Sequence, residues 1–269
     1  GVLAVGVTFV IITGGIDLSI GTGMTFASVM TGVFVTNLGF PVWIGILVGL
    51  LTGALIGFIN GLCIAKLKIP AFIATLGMMM ITKGLSLIMS DAKPIYFIDI
   101  PHFSEISTGK WFGIPMAVFI FFAAALIANI ILNKTIIGRY DFAIGSNMQA
   151  TRLSGINTDR WLIIIHTMAG LFVGLAGVLM AARLNSAQPA LGQGYELDAI
   201  AAVVIGGTSL NGGKGTITGT VIGAFIMSTL LNGLRIMSVP QEWQTVLTGI
   251  IVIAAVFGDI YRRNKQAKA

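Results

Sequence analysis

The run Val42-Trp43-Ile44-Gly45-Ile46-Leu47-Val48-Gly49-Leu50-Leu51-Thr52-Gly53-Ala54-Leu55-Ile56-Gly57-Phe58-Ile59-Asn60-Gly61-Leu62-Cys63-Ile64-Ala65 decides the fold. It contains no charged side chain, and Lys66, Lys68 and Pro70 follow it directly. As a helix it would extend roughly 36 Å, enough to cross a hydrocarbon core of about 30 Å. The whole chain shares this character: 56% of its 269 residues are hydrophobic and 10% charged, and its mean hydropathy is +0.95. A soluble domain carries roughly 25% charged residues. In hydrocarbon every backbone polar group must be satisfied internally, which leaves helices or a closed barrel. Barrel strands would alternate apolar and polar residues over about ten positions. The runs here are long and unbroken, so the fold class is an all-α polytopic membrane protein.

Apolar runs bounded by charge, glycine or proline give nine candidate helices. They are Gly1–Thr13, Gly21–Asn37, Val42–Ala65, Pro70–Met89, Ile114–Leu132, Trp161–Ala182, Leu197–Leu210, Thr216–Leu234 and Trp243–Phe257. The 197–210 run is short and ends in glycines, which suggests a half-helix or re-entrant segment. Gly1–Thr13 falls below the roughly 17–25 residues of a spanning helix, so a further N-terminal helix is expected in the natural protein. It is not a signal peptide, since it has no basic leader and no cleavage site.

Strict alternation of nine spans places Lys66, Lys68, Lys134, Arg139, Arg152, Arg160, Lys214, Arg262, Arg263, Lys265 and Lys268 on one side. Lys93, Lys110, Arg183 and Arg235 fall on the other. The positive-inside rule then makes the first side, with the C-terminus, cytoplasmic. The net charge of +6 follows this topology and forms no basic stripe with interleaved aromatics, so nucleic-acid binding is not indicated. A lone Cys63 excludes disulfides and cysteine metal sites.

Gly45, Gly49, Gly53, Gly57 and Gly61 lie near one helix face, where they let a neighbouring helix approach closely. The other reading is a translocation surface. Asp17 lies between two apolar runs; a carboxylate there is a functional candidate, though Asp17 or Ser19 also suits a cap of the next helix. Lys83 is near enough to the outer surface to snorkel. His166 lacks ligand partners and reads as hydrogen-bonded structure. Asn60, Asn129 and Asn232 could bond between helices or line a polar path. No chain of ionisable residues crosses the spans, which disfavours an ion-coupled pump. In the 133–160 segment, Ser146-Asn147-Met148-Gln149 reads as a capping box opening a short helix through Arg152 that stops at Gly155. Such a helix suits docking of a partner; a loop that merely obeys the charge rule fits equally well. Ile205–Thr216 is rich in glycine but is not a phosphate loop, because Gly215 follows Lys214 and Thr208 stands six before it. It reads as a flexible turn, and no catalytic, metal or nucleotide motif remains.

Several stretches occur together in order: Ile12-Thr13-Gly14-Gly15-Ile16-Asp17-Leu18-Ser19-Ile20-Gly21, then Ile69-Pro70-Ala71-Phe72-Ile73-Ala74-Thr75-Leu76-Gly77. Gly138-Arg139, Ala143-Ile144-Gly145-Ser146-Asn147 and Arg152-Leu153-Ser154-Gly155-Ile156 follow, and the last runs from Tyr195-Glu196-Leu197-Asp198 to Gly206-Gly207. In these the chain resembles the membrane permease subunits of bacterial ABC importers for simple sugars, the ribose, xylose and galactose type. Lys83-Gly84 departs mildly from the Arg-Gly that the family often has.

The resemblance implies a single inner-membrane permease domain of about ten spanning helices in full, similar to vitamin B12-type importers. Implied partners are a second, identical or different, permease subunit, two ATP-binding subunits that hold ATP and magnesium, and a soluble sugar-binding protein. It further implies that Gly138, Arg139, Gly145, Asn147, Arg152 and Gly155 belong to the element coupled to the ATPase. Asp17, Ser19, Thr75, Gly77, Glu196 and Asp198 become candidates for a structural or translocation motif. Cargo of another kind, such as a nucleoside or amino acid, and an ion-coupled transporter are the alternatives.

Overall fold

The computed structural model describes residues 1–266, with side chains through 258 except at 255. Lys268 of the basic tail, and the side chains of Arg262, Arg263 and Lys265, lie outside the described residues. The helices are α1 (Val2–Ile12), α2 (Ile20–Gly32, running on as a π-helical turn Val33–Asn37), α3 (Val42–Ala65), α4 (Ala71–Met89), a one-turn α5 (Glu105–Thr108) and α6 (Met116–Lys134). They continue as α7 (Ile136–Leu153), α8 (Thr158–Leu184), α9 (Tyr195–Ile205), α10 (Ile217–Ile236) and α11 (Gln241–Gln266). Six of them are long and apolar enough to cross a membrane: α3, α4, α6, α8, α10 and the first eighteen residues of α11. The chain is a multi-pass membrane protein.

The fold is built around α8, whose apolar stretch is 72% buried, against 28% or less for the other five. The glycines of α3 press on it. A Cβ at Gly53 would collide with the Gly170 and Gly174 backbone, one at Gly57 with the His166 carbonyl, and one at Gly61 would sit 2.7 Å from Ile163 Cα. Gly49 and Gly45 continue the seam onto Thr31, Val178 and Val35. Lipid tails are as apolar as leucine, so packing of this kind has to supply the association. The opposite face of α3 carries the exposed Leu47, Leu51, Leu55 and Phe58, a surface for acyl chains. The sequence readily shows one half of this seam; its mate on α8 is the single pair Gly170 and Gly174, while Gly177 packs on Met24 and Ala27 of α2.

Turns gather at two ends. At one, the Gly213 amide donates to the Ile12 carbonyl at 2.9 Å, and Lys68 of the α3–α4 turn meets Asp159 at the start of α8 at 2.8 Å. At the other, β1 (Ile95–Tyr96) pairs antiparallel with β4 (Ser186–Ala187), Ile95 opposite Ala187. There Phe97 and Phe103 stack at 3.9 Å, both fully buried. The 90–113 segment is thus packed down, and includes a second short ladder of β2 (Lys110–Trp111) with β3 (Ile114–Pro115). The first end is the basic one, so the grouping of turns agrees with the grouping of charge.

α9 is half-length, eleven residues and about 16 Å long. All eleven residues of α1 are buried. The turn between α9 and α10 is not the loose connector its glycines suggested. Thr208 and Ser209 are buried, and Gly212 and Gly213 lie close against Ile12, Gly14 and Ser146.

Candidate functional site

The segment 133–160 is mostly one helix, α7, bent at Asn147, whose φ and ψ are −161° and 98°. The bend corrects the capping box by one residue. Asn147, not Ser146, caps the short distal helix, its side-chain oxygen accepting the Ala150 N–H at 2.9 Å. Thr151 straps the bend, its hydroxyl 2.8 Å from both the Ala143 and Asn147 carbonyl oxygens. Gly155 ends the helix with φ +85°, where its lack of a Cβ removes the strain of a left-handed turn.

Asp159 ties this end together. Its Oδ1 accepts Arg152 Nη2 at 3.0 Å and Lys68 Nζ at 2.8 Å, so one carboxylate clamps the distal helix to the α3–α4 turn. Arg152 also donates to the Thr158 hydroxyl at 3.2 Å, and Asn157 caps α8 through the Arg160 N–H. Between them lies an open cleft of about 260 Å³ lined by Arg152 and residues 155–159. Leu153 projects beside it, 88% exposed. Arg139 is exposed on the first turn of α7 and makes no side-chain bond among the described residues. Leu153 and the Arg152–Asp159–Lys68 cluster together make an exposed apolar and charged surface.

The root of α7 is seated in the membrane part. A Cβ at Gly138 would collide with the Leu132 carbonyl, and one at Gly145 with the Ile12 carbonyl and the Gly213 amide. Glycine at these two positions lets α7 rest directly on the ends of α6 and α1 and on the α9–α10 turn. Asp141, between them, is fully buried, and neither carboxyl oxygen has a partner among the described residues. Burial pushes its carboxyl well above the usual carboxylate range.

A second cluster surrounds the break between α1 and α2. Asp17 accepts the Ser19 N–H at 2.8 Å and its hydroxyl at 2.6 Å. Asp17 thus meets a backbone donor at the helix entrance, whereas Ser19, at the N-cap position, makes no cap bond. The Ser19 hydroxyl accepts from the Asn60 amide of α3 at 2.9 Å, and Thr75 of α4 donates to the Ile16 carbonyl at 3.1 Å. The break is therefore held by α3 and α4 at once. His166 Nδ1 donates to the Leu162 carbonyl at 2.9 Å, and no group of three metal-ligating side chains occurs among the described residues.

Glu196 is buried in the first turn of α9, accepts the Gly194 N–H at 3.1 Å, and packs on Gly21 at the start of α2. A carboxylate is favoured at a helix N-terminus. Asp198 is partly buried beside it, while Gly77 faces open space. Asn129 pairs with Asn133 along α6, whereas Asn60 bonds between helices. Lys83 Nζ lies 3.1 Å from Gln193 Oε1. That partner is 110 positions away, and nothing local in the sequence announces it.

Residues 1–256 match the family described as branched-chain amino acid transport system / permease component. The chain belongs to this family. Among curated relatives of this permease, the ribose import permease protein RbsC of Haemophilus influenzae is 41% identical over 268 residues, covering 98% of this chain and 83% of the relative. The protein of the same name in Bacillus subtilis is 44% identical, covering 99% and 82%. The L-arabinose transport system permease protein AraH of Escherichia coli is 41% identical, covering 99% and 80%. No solved structure matches the permease. The family is one of transport permeases rather than enzymes, in keeping with a chain whose polar groups hold helices together.

Proposed function

We propose that the permease is the membrane domain of an ATP-driven ABC importer for a simple sugar in a bacterial inner membrane. Ribose is the first candidate cargo, because a ribose relative reaches 44% identity, against 41% for the arabinose relative. The basic end would face the cytoplasm, where separate ATP-binding subunits, holding ATP and magnesium, dock on the 133–160 coupling segment. A soluble binding protein would deliver sugar from outside, and a second permease subunit would complete the pathway. The observation that carries the reading is the construction of α7. It has an exposed apolar and basic tip clamped through Asp159, and a glycine-lined root seated on α1 and the α9–α10 turn. A partner's stroke at the tip would be delivered to membrane helices without slack. The printed family description favours one second reading, an amino acid as cargo.

The test is to purify the full-length permease with its ATPase and binding protein and to measure ATP hydrolysis with ribose, arabinose, fructose and leucine. Stimulation by a sugar is expected, together with its loss in Arg139→Glu, Arg152→Glu and Leu153→Asp. Failure of an ATPase to co-purify, with full transport by all three variants, sinks the coupling role. Stimulation by leucine alone replaces the cargo.

A further inference from the structure

Lys83 and Gln193 occupy an unusual depth. Counting 1.5 Å per residue, Lys83 stands about 18 Å above the basic end of α4 and about 9 Å below its other end. Gln193 comes two residues before α9, whose eleven residues descend about 16 Å to the basic-end turn at 206–215. Both counts put the pair near the middle of a core about 30 Å thick. Yet both side chains are exposed on the surface of the chain. A lysine facing acyl chains at that depth costs roughly 2.5–3.5 kcal/mol, so this face is not a lipid face.

The hydrogen-bonding account points the same way. An ammonium has three donors and a glutamine amide two. Among the described residues the Lys83 ammonium has one partner, Gln193 Oε1, and the Gln193 amide nitrogen has none. They border a small cleft shared with Thr22, Thr25 and Gly192, with free space of about 10 Å³, room for about one water. Glu196 packs on Gly21, next in sequence to Thr22 of this cleft. So small a cleft traps no ligand, and can touch only one face of a molecule that passes it.

We propose that Lys83, Gln193, Thr22 and Thr25 form a mid-bilayer stretch of the pathway wall, a wet surface that contacts the hydroxyl groups of a monosaccharide in passage. Unspent donors beside hydroxyl acceptors suit a neutral polyol, which presents both kinds of group. This assignment rests on the sugar-importer reading, and the experiment separates the two.

In the full-length complex, reconstituted in vesicles and turning over ATP, Cys63→Ala gives a background free of this chain's own thiol. Lys83→Cys and Gln193→Cys are then exposed to a membrane-impermeant methanethiosulfonate, with Leu51→Cys on the lipid face of α3 as control. Labelling at 83 and 193 at least tenfold faster than at 51 is expected. Labelling no faster than at 51 overturns the wall and leaves a dry contact with a second copy. Uptake of ribose should fall at least fivefold in Lys83→Met and Gln193→Leu and persist in Lys83→Arg. Fast labelling with undiminished uptake in both variants overturns the sugar contact. If the unmodified complex takes up no ribose, the cargo reading fails while the labelling rates still decide the wall.

Discussion

Replacing Gly53 with valine tests the seam between α3 and α8. A Cβ there would meet the backbone of Gly170 and Gly174, standing 2.7 Å from Gly174 Cα, where carbon atoms prefer roughly 3.5–4.0 Å. Backbone cannot rotate aside as a side chain can, so the helices must part by about 1 Å. A gap of that size forfeits about a quarter to a half of each contact, individually worth about 0.1–0.2 kcal/mol. With some 30 atom pairs across the crossing, the loss is about 1–2 kcal/mol, and the two γ-methyls bring it towards the upper end of the roughly 1–3 kcal/mol typical of overpacking. At about 2–4 °C per kcal/mol for a chain of this size, the Tm of the purified permease should fall by about 5–10 °C. Gly84→Val on α4 is the control, because nothing lies within 4 Å of a Cβ there. Circular dichroism in detergent measures both. Equal falls in the two variants, or an unchanged Tm in Gly53→Val, would refute close backbone contact as the basis of the fold.

Other outcomes follow from single contacts. Asp159→Asn removes two ion pairs whose cations are more than half exposed; such pairs contribute about 0–1 kcal/mol each, so Tm should barely move while cargo-stimulated ATP hydrolysis by the complex falls severalfold. The buried Thr8–Thr220 bond of 2.8 Å joins α1 to α10, and a double-mutant cycle with valines should return about 0.6 kcal/mol, the usual value for such a bond in a membrane. Asp141 holds its proton to a higher pH in the fold than its ordinary 3.8. The stability linked to it is therefore complete below that value and lost as pH rises through the raised one. Asp141→Asn should gain Tm over the parent at pH 8 and gain less at pH 5; an equal gain at both contradicts an unpartnered buried carboxyl.

How much was legible depended on range. Apolar runs between charges located the long helices because length and hydropathy are local properties, and the four-residue glycine spacing exposed one half of the α3–α8 seam. The short run before Leu210 betrayed a half-helix for the same reason. The charged and polar residues of the 133–160 segment hide most of its helix, which holds because Gly138 and Gly145 lay it against other backbones, a tertiary circumstance. The cap moved from Ser146 to Asn147 because the preceding residues were already helical. Lys83 with Gln193, and Glu196 with Gly21, are pairings fixed by topology alone, and no pattern along the chain encodes them.

The seating of α7 has a mechanical corollary. Its root touches the Ile12 end of α1 and the turn after α9, which are themselves joined by the Gly213–Ile12 hydrogen bond. The pair α3–α8, locked glycine against glycine, spans the full thickness beside them as a frame. A force applied to α7 would therefore reach the backbones of α6, α1 and the α9–α10 turn directly, beside that frame.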